Sequence, residues 1–214
     1  MFQEIYENVF ALISKTYSSN IFLIKGKENI LIDAGLEANA EFLKEQLKEI
    51  GLAPESISII LFTHGHADHI GGAVLFKNAK MFMSEYDGEL VNTKDNDFTV
   101  ANAFNQKFFP KVNYFSKNQV FKINDFELKV IETPGHTKGG VCFFNKKKKI
   151  LFSGDTLFKG TVGRSDLISS NKNELIESIE KLKKIEFDLL LAGHGKILNS
   201  NQKENLDFAL ELLK

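Results

Sequence analysis

Residues 63–69 read Thr63-His64-Gly65-His66-Ala67-Asp68-His69 and follow an apolar, strand-like run at 57–62. His64, His66, Asp68 and His69 put four potential ligands into six residues, which is metal-ligand density. Imidazole nitrogens with a carboxylate suit borderline divalent metals such as zinc, and equally iron or manganese, whereas all-oxygen sets favour calcium or magnesium. His64 and His66 stand two apart and cannot share a helix face, so the cluster belongs on a loop at a strand end, unlike a helical His-Glu-x-x-His site. The same device recurs downstream. His136 follows the run 128–131 through Pro134-Gly135, Asp155 follows 150–152 through Gly154, and His194 follows 189–191 through Gly193. One such histidine is usually a surface or satisfied core residue, but here all five histidines of the chain sit at the ends of apolar runs. That placement is expected when adjacent strands point into one cleft.

Outward from these residues, the chain has 214 residues, which at ~150 residues per domain allows one large domain or two small ones. No linker, low-complexity tract or strict repeat interrupts it, and its three prolines are scattered, so a single domain over 1–214 is the simplest organisation. A chain of this size should bury roughly 70% of its unfolded surface, and 43% hydrophobic residues with 20 Phe can supply that burial. Lys plus Arg (27) against Asp plus Glu (28) gives a net charge of -1, without a basic field for nucleic acid or an anionic membrane. Cys142 has no cysteine to pair with, and Glu4 and Glu7 stand where a signal peptide would carry basic residues. No apolar run reaches the ~18 residues of a membrane helix. A soluble, cytoplasmic protein with a small-molecule substrate is the expectation.

Strand-like runs fall at 9–13, 21–25, 30–33, 57–62, 80–83, 120–123, 126–131, 141–144, 150–152 and 188–191. Helical spacing appears at 36–50, with Phe42, Leu43, Leu47 and Ile50 on one side and Gly51 as its stop, and again at 173–185 and 202–213. Strand-rich segments without regular βαβ alternation predict an α+β fold, its sheets covered by helices on their outer faces. The run Lys146-Lys147-Lys148-Lys149 lies between two strand-like runs and reads as a solvated hairpin tip rather than an anion site.

Taken together, His-x-His-x-Asp-His at 64–69 with His136, Asp155 and His194 resembles the signature of the metallo-β-lactamase-fold superfamily, over nearly the whole chain. The segment Gly154-Asp155-Thr156-Leu157-Phe158-Lys159-Gly160-Thr161-Val162-Gly163-Arg164-Ser165-Asp166 and the turn Thr133-Pro134-Gly135-His136-Thr137 resemble its glyoxalase II-like, or hydroxyacylglutathione hydrolase-like, branch. The resemblance implies a four-layer αββα sandwich with a dinuclear site at one edge. His64, His66 and His136 would hold one metal, Asp68, His69 and His194 the other, and Asp155 would bridge them, which makes Asp68 and Asp155 the candidate catalytic carboxylates. The implied cofactors are two divalent ions, zinc first with iron or manganese as alternatives, and no organic cofactor is expected. Three protein ligands plus a bridge leave room for water or substrate. Two cations ~3.5–4 Å apart can hold a bridging hydroxide as nucleophile near neutral pH. Asp33 matches the superfamily's first motif and is expected to support a ligand histidine from behind. Arg164 and Asp166 are expected to brace their loop with a salt bridge, Cys142 to be core rather than nucleophile, and Gly71 and Gly72 to permit close packing and a tight turn.

A hydrolase is the leading class. With every histidine assigned to metal, no imidazole remains to protonate a poor leaving group. A thiolate needs little help, since a thiol pKa is ~8.5, while an alkoxide or amine normally needs an acid. Thioester hydrolysis therefore fits best, ahead of phosphodiesterase, nuclease or lactonase activity. The alternative is an iron-dependent persulfide dioxygenase, whose family resembles this branch and keeps a similar Gly-Arg-x-Asp element, here at 163–166. Main-class zinc β-lactamases would have Cys where Asp155 stands, and diiron flavoprotein-type oxidoreductases usually have Glu where His66 stands. Glyoxalase II enzymes carry a further helical domain that helps bind glutathione, whereas 20 residues follow His194 here, so glutathione is not assumed as the thiol. Lys138 and Lys159 follow His136 and Asp155 and are expected near the cleft mouth, where an ammonium attracts a substrate carboxylate; an anionic thioester is the implied substrate. Residues 92–118, with Phe98, Phe104, Phe108, Phe109, Tyr114 and Phe115, read as a substrate lid or a homodimer contact, or as plain surface packing.

Overall fold

Runs of Ile, Leu, Val and Phe too short for helices form the strands of this chain. The computed structural model describes residues 1–116 and 118–214. It divides into two units, Met1–Phe115 and Ser116–Lys214. In the first unit, β1 (Gln3–Tyr6), β2 (Val9–Leu12), β3 (Ile21–Ile24), β4 (Asn29–Ile32), β5 (Ile57–Leu61), β6 (Lys80–Met83) and β7 (Asn113–Tyr114) lie side by side in chain order. The first four form an antiparallel meander, and from β4 to β7 the pairing is parallel. Parallel pairing brings the C-terminal ends of β4, β5 and β6 to one edge, and the residues that follow those strands collect there.

Helix α1 (Ala40–Glu49) makes the crossover from β4 to β5, after a short 3-10 turn at Glu37–Asn39. Gly51 ends it in the left-handed conformation (φ 76°) that a residue with a Cβ rarely adopts. Ala40, Leu43 and Leu47 face inward at three- and four-residue spacing, and Leu43 and Leu47 share a core with Leu31, Ile60 and Phe62. Phe42 does not belong to that face. It is 51% exposed, because one residue step turns a helix by about 100° and Leu43 already occupies the inward direction.

Helices α2 (Ala67–Ile70), α3 (Glu85–Asn92) and α4 (Asn96–Thr99) are too short or too irregular to show a period in the sequence. Asp95 caps α4 by accepting from the backbone N–H groups of Asp97 and Phe98. In the segment 92–118, where Lys117 lies outside the described residues, Phe98 is a core residue and Phe108 and Phe109 pack against the same core.

The second unit contains β8 (Val120–Ile123), β9 (Phe126–Glu132), β10 (Val141–Asn145), β11 (Ile150–Gly154), a small ribbon of β12 (Leu157–Phe158) and β13 (Thr161–Val162), helix α5 (Lys172–Leu182), β14 (Leu189–Ala192) and helix α6 (Gln202–Leu212). Its main sheet runs β14-β11-β10-β9-β8, antiparallel except for the parallel β11–β14 pair. That pattern sends the C-terminal ends of β9, β11 and β14 to one edge. Leu175, Ile179 and Leu182 of α5 and Leu206, Ala209 and Leu210 of α6 cover one sheet face, over Ile131, Cys142, Phe144, Leu151 and Leu190. The lysine run is the β10–β11 hairpin tip, as its sequence predicts. There the Lys148 N–H donates to Asn145 Oδ1 at 2.8 Å, and Lys149 Nζ meets Glu186 at 2.6 Å. No helix among the described residues is long and apolar enough to cross a membrane.

Gly71 and Gly72 serve packing and not a left-handed turn, since neither has a positive φ. A Cβ at Gly72 would stand 2.0 Å from the Ala34 carbonyl oxygen. Gly72→Ala is expected to destabilise the chain by about 1–3 kcal/mol through overpacking, read as a lower midpoint in urea unfolding. At Gly160 a Cβ would meet nothing within 4 Å but φ is 77°. Gly160→Ala should therefore cost only backbone strain of about 1 kcal/mol.

Candidate metal centre

In the first unit, the loops after β4 and β5 are tied together by Asp33. Asp33 has φ 58°, a left-handed conformation that Asp tolerates better than most residues, and it is 2% exposed. Its Oδ1 accepts the Thr63 N–H at 2.8 Å, and its Oδ2 accepts the Thr63 hydroxyl at 2.9 Å. The same Oδ2 lies 2.8 Å from His69 Nδ1. A carboxylate only accepts, so His69 carries its proton on Nδ1 and turns the Nε2 lone pair away. The Thr63 hydroxyl has given its one hydrogen to Asp33, so at 3.1 Å from His64 Nδ1 it must accept. His64 is thereby held in the same tautomer. His64 Nε2 lies 3.2 Å from His66 Nδ1, and His69 Nε2 lies 3.8 Å from Asp68 Oδ2.

Backbone contacts fix the remaining positions. Asp68 and His69 sit on the single turn of α2, so the loop expected at this strand end closes as a helix start. The Asp68 carbonyl accepts from Ser19 N–H at 3.0 Å and the His69 carbonyl from Ala34 N–H at 2.7 Å. Gly65 N–H donates to Asp87 Oδ2 at 3.0 Å, and Asp87 is fully buried. A Cβ at Gly65 would come within 2.7 Å of the Phe98 ring, whose centroid is 5.8 Å from that of His66. Sequence reading gave no role to Thr63 or Asp87, and it placed Phe98 only within the lid, dimer-contact or surface segment 92–118. Thr63 adjoins the histidines and was legible as a neighbour, while α3 and α4, which hold Asp87 and Phe98, carry no periodic signal.

In the second unit, the turn after β9 is pinned to α5. Gly135 has φ 138°, and a Cβ there would fall 2.4 Å from the Leu175 backbone. The Asn171 N–H donates to the Gly135 carbonyl at 2.8 Å, and the Ser178 hydroxyl to the Pro134 carbonyl at 2.7 Å. His136 Nδ1 lies 2.8 Å from the Arg164 carbonyl oxygen. A carbonyl cannot donate, so His136 also bears its proton on Nδ1. Gly163 makes that approach feasible, since a Cβ there would stand 1.9 Å from the Asp155 carbonyl oxygen and 3.1 Å from His136 Cγ. The Arg164 guanidinium makes the expected brace, donating from Nε and NH2 to the two Asp166 oxygens at 2.9 and 2.8 Å. This hydrogen bonding holds the Asp166 carboxyl below its ordinary pKa.

After β11, Gly154 (φ 49°) turns the chain into Asp155, and the Gly193 N–H donates to the Gly154 carbonyl at 2.8 Å, which joins the ends of β11 and β14. One oxygen, Asp155 Oδ2, then lies 3.5 Å from His136 Nε2 and 3.6 Å from His194 Nε2. Lys138 and Lys159 are exposed on their loops. Cys142 is fully buried, donates to the Ser153 carbonyl at 3.6 Å, and has its thiol pushed up to about 11 by desolvation. It is a core residue that stays protonated at neutral pH.

The donor set fits borderline divalent metals. Two ligand atoms about 2.0–2.1 Å from a tetrahedral ion lie about 3.3 Å apart. The separations of 3.2 Å in the first unit and 3.5 and 3.6 Å in the second are close to that edge. His64, His69 and His136 have already had their tautomers set with Nε2 as the donor atom, and a metal-binding imidazole requires that preparation. Asp33→Asn replaces one acceptor oxygen by an NH2 group and should lower metal affinity about 10–100-fold. Chelator competition would measure this, with an unchanged circular dichroism spectrum as the control. Cys142 should resist iodoacetamide at pH 8 in the native chain and react once the chain is denatured, as mass spectrometry would show.

The chain is similar to several known proteins. The model of the family described as the Metallo-beta-lactamase superfamily matches residues 15–194. The probable metallo-hydrolase MJ0888 of Methanocaldococcus jannaschii is 34% identical over 85% of this chain and 89% of its own length. Hydroxyacylglutathione hydrolase GloC of Haemophilus influenzae is 29% identical, over 83% and 85% respectively. Among solved structures, the metallo-beta-lactamase family protein TTHA1429 of Thermus thermophilus superimposes with a TM-score of 0.81 at 21% identity, covering 99% of this chain and 79% of that one. TTHA1623, solved in a di-iron-bound form, gives 0.73 at 26% identity, covering 95% and 97%. The fold is thus the α+β metallo-β-lactamase fold, and the relatives are metallo-hydrolases. By its family match and its likeness to these proteins, this chain belongs to the metallo-β-lactamase superfamily, as a metal-dependent hydrolase.

Proposed function

We propose that the chain hydrolyses thioesters in the manner of glyoxalase II, with residues 1–214 acting as one domain. In this reading the two ligand sets act together: His64, His66 and His136 hold one divalent ion, Asp68, His69 and His194 the other, and Asp155 bridges. The placement of one Asp155 oxygen against both His136 and His194 supports the bridge. Two such ions, when bound, would supply Lewis acidity toward a carbonyl and a water acidic enough to attack it near neutral pH.

The observation that carries the reaction class is the commitment of the imidazoles. His64, His69 and His136 each place Nδ1 against an oxygen acceptor, and the reading assigns the other ring nitrogens to metal. No histidine is then left to protonate a leaving group, and a thiolate can depart without one. Cys142 offers no competing covalent route, because it is buried and protonated. Exposed Lys138 and Lys159 would draw a substrate carboxylate by charge, which favours an anionic thioester. The likeness to hydroxyacylglutathione hydrolase GloC supports the same chemistry. Iron in these ligands, with persulfide oxygenation as the reaction, is the second reading. The di-iron-bound form of TTHA1623 supports iron as the metal of that reading and says nothing of the oxygenation.

Elemental analysis of protein purified without added metal should find close to two transition-metal ions per chain. Parallel assays should then show thioester hydrolysis without oxygen uptake; oxygen consumption on a persulfide, with one iron per chain, would transfer the assignment to the dioxygenase. Asp155→Ala should abolish turnover while circular dichroism stays native. Replacing Lys138 and Lys159 by Met should raise KM for an anionic thioester several-fold and leave kcat and a neutral thioester unchanged, the pattern of lost uniform binding.

A further inference from the structure

A cavity of about 370 Å³ lies in the first unit between α1 and the loop 13–20 that joins β2 to β3. This is at the small end of the about 300–1,000 Å³ typical of ligand sites. Its inner wall is apolar, with buried Leu12, Ile21 and Leu43, and its rim carries half-exposed Phe42, the residue that α1 leaves out of the core. The opposite wall is the polar loop. Lys15 is the one cationic side chain of the lining, and no acidic side chain lines it. Among the described residues Lys15 makes no ion pair.

Ser19 belongs to the same wall and is 2% exposed, yet its hydroxyl has no hydrogen-bonding partner among the described residues. A buried hydroxyl without a partner is unfavourable, and native structures normally satisfy such groups. The neighbouring Ser18 hydroxyl, by contrast, accepts from the Leu36 N–H at 3.0 Å. A cavity with apolar, hydroxyl and cationic elements, and no anion to repel, matches one chemistry.

We propose that this cavity binds a small amphipathic carboxylate, its hydrocarbon body on Leu12, Ile21 and Leu43 and its anionic head between Lys15 and the Ser19 hydroxyl. The Ser19 N–H already donates to the Asp68 carbonyl at 3.0 Å, so a ligand held by Ser19 is one hydrogen bond away from a candidate metal ligand.

Calorimetric titration of the metal-bearing chain tests this with octanoate, acetate and octanol as probes. Octanoate should saturate a single site, while acetate, which lacks the body, and octanol, which lacks the charge, should bind several-fold more weakly. Phe42→Glu sets a like charge on the rim and should abolish octanoate binding. Phe42 is a surface residue, so the fold should be unaffected. Ser19→Ala should weaken octanoate several-fold. Absence of saturable octanoate binding to the wild type would overturn the proposal. So would equal binding to the wild type and Phe42→Glu, which would place octanoate on the metal ions or elsewhere. Heat of binding is the readout, so a chain without thioesterase activity tests it equally.

Discussion

The Asp33 carboxylate accepts three hydrogen bonds, from the Thr63 N–H, the Thr63 hydroxyl and His69 Nδ1, and through them it sets the protonation of two candidate ligand histidines. This depends on β4 and β5 being parallel neighbours, because only then do the residues after the two strands leave the sheet at the same edge. It also depends on a left-handed backbone at Asp33, which an Asp can adopt and a β-branched residue could not without strain. Gly72 contributes by letting its segment close against the Ala34 carbonyl. The buried Asp33 carboxylate also fixes the orientation of the His69 ring.

The second unit reaches the same result with a neutral acceptor. His136 is oriented by the Arg164 carbonyl, and the loop that presents the carbonyl is braced by the exposed Arg164–Asp166 pair. An exposed ion pair of this kind contributes little to global stability, because water screens both charges. Its value is geometric, since it fixes the loop next to Gly163, where a side chain would collide with Asp155. The sole arginine of the chain thus has a local explanation: a planar, two-pronged donor holds a carboxylate in one orientation better than a lysine would.

Within the aromatic segment read as a lid, a homodimer contact or surface packing, Phe98 has a packing role of its own. Phe98 is core, and its ring backs the glycine between His64 and His66. Hydrophobic residues in a stretch without periodicity can therefore serve the ligand loop from behind.

The candidate ligands could be picked out in the sequence. Imidazole and carboxylate groups at short, strand-terminal spacing are specified by local chemistry, as were most strands and the helices α1, α5 and α6, whose apolar periods survive in isolation. Asp33 was legible by resemblance, and the Arg164–Asp166 brace by proximity along the chain. What the sequence could not show was that Thr63 relays Asp33 to His64, that a backbone carbonyl orients His136, or that Asp87 and Phe98 support the first histidine pair. It also put Phe42 on the same side as Leu43 and Leu47, whereas the helix buries Leu43 and Leu47 and leaves Phe42 at the surface. Each of these is decided by which strand ends become neighbours and how closely two backbones approach, and those are long-range contacts that no local pattern encodes.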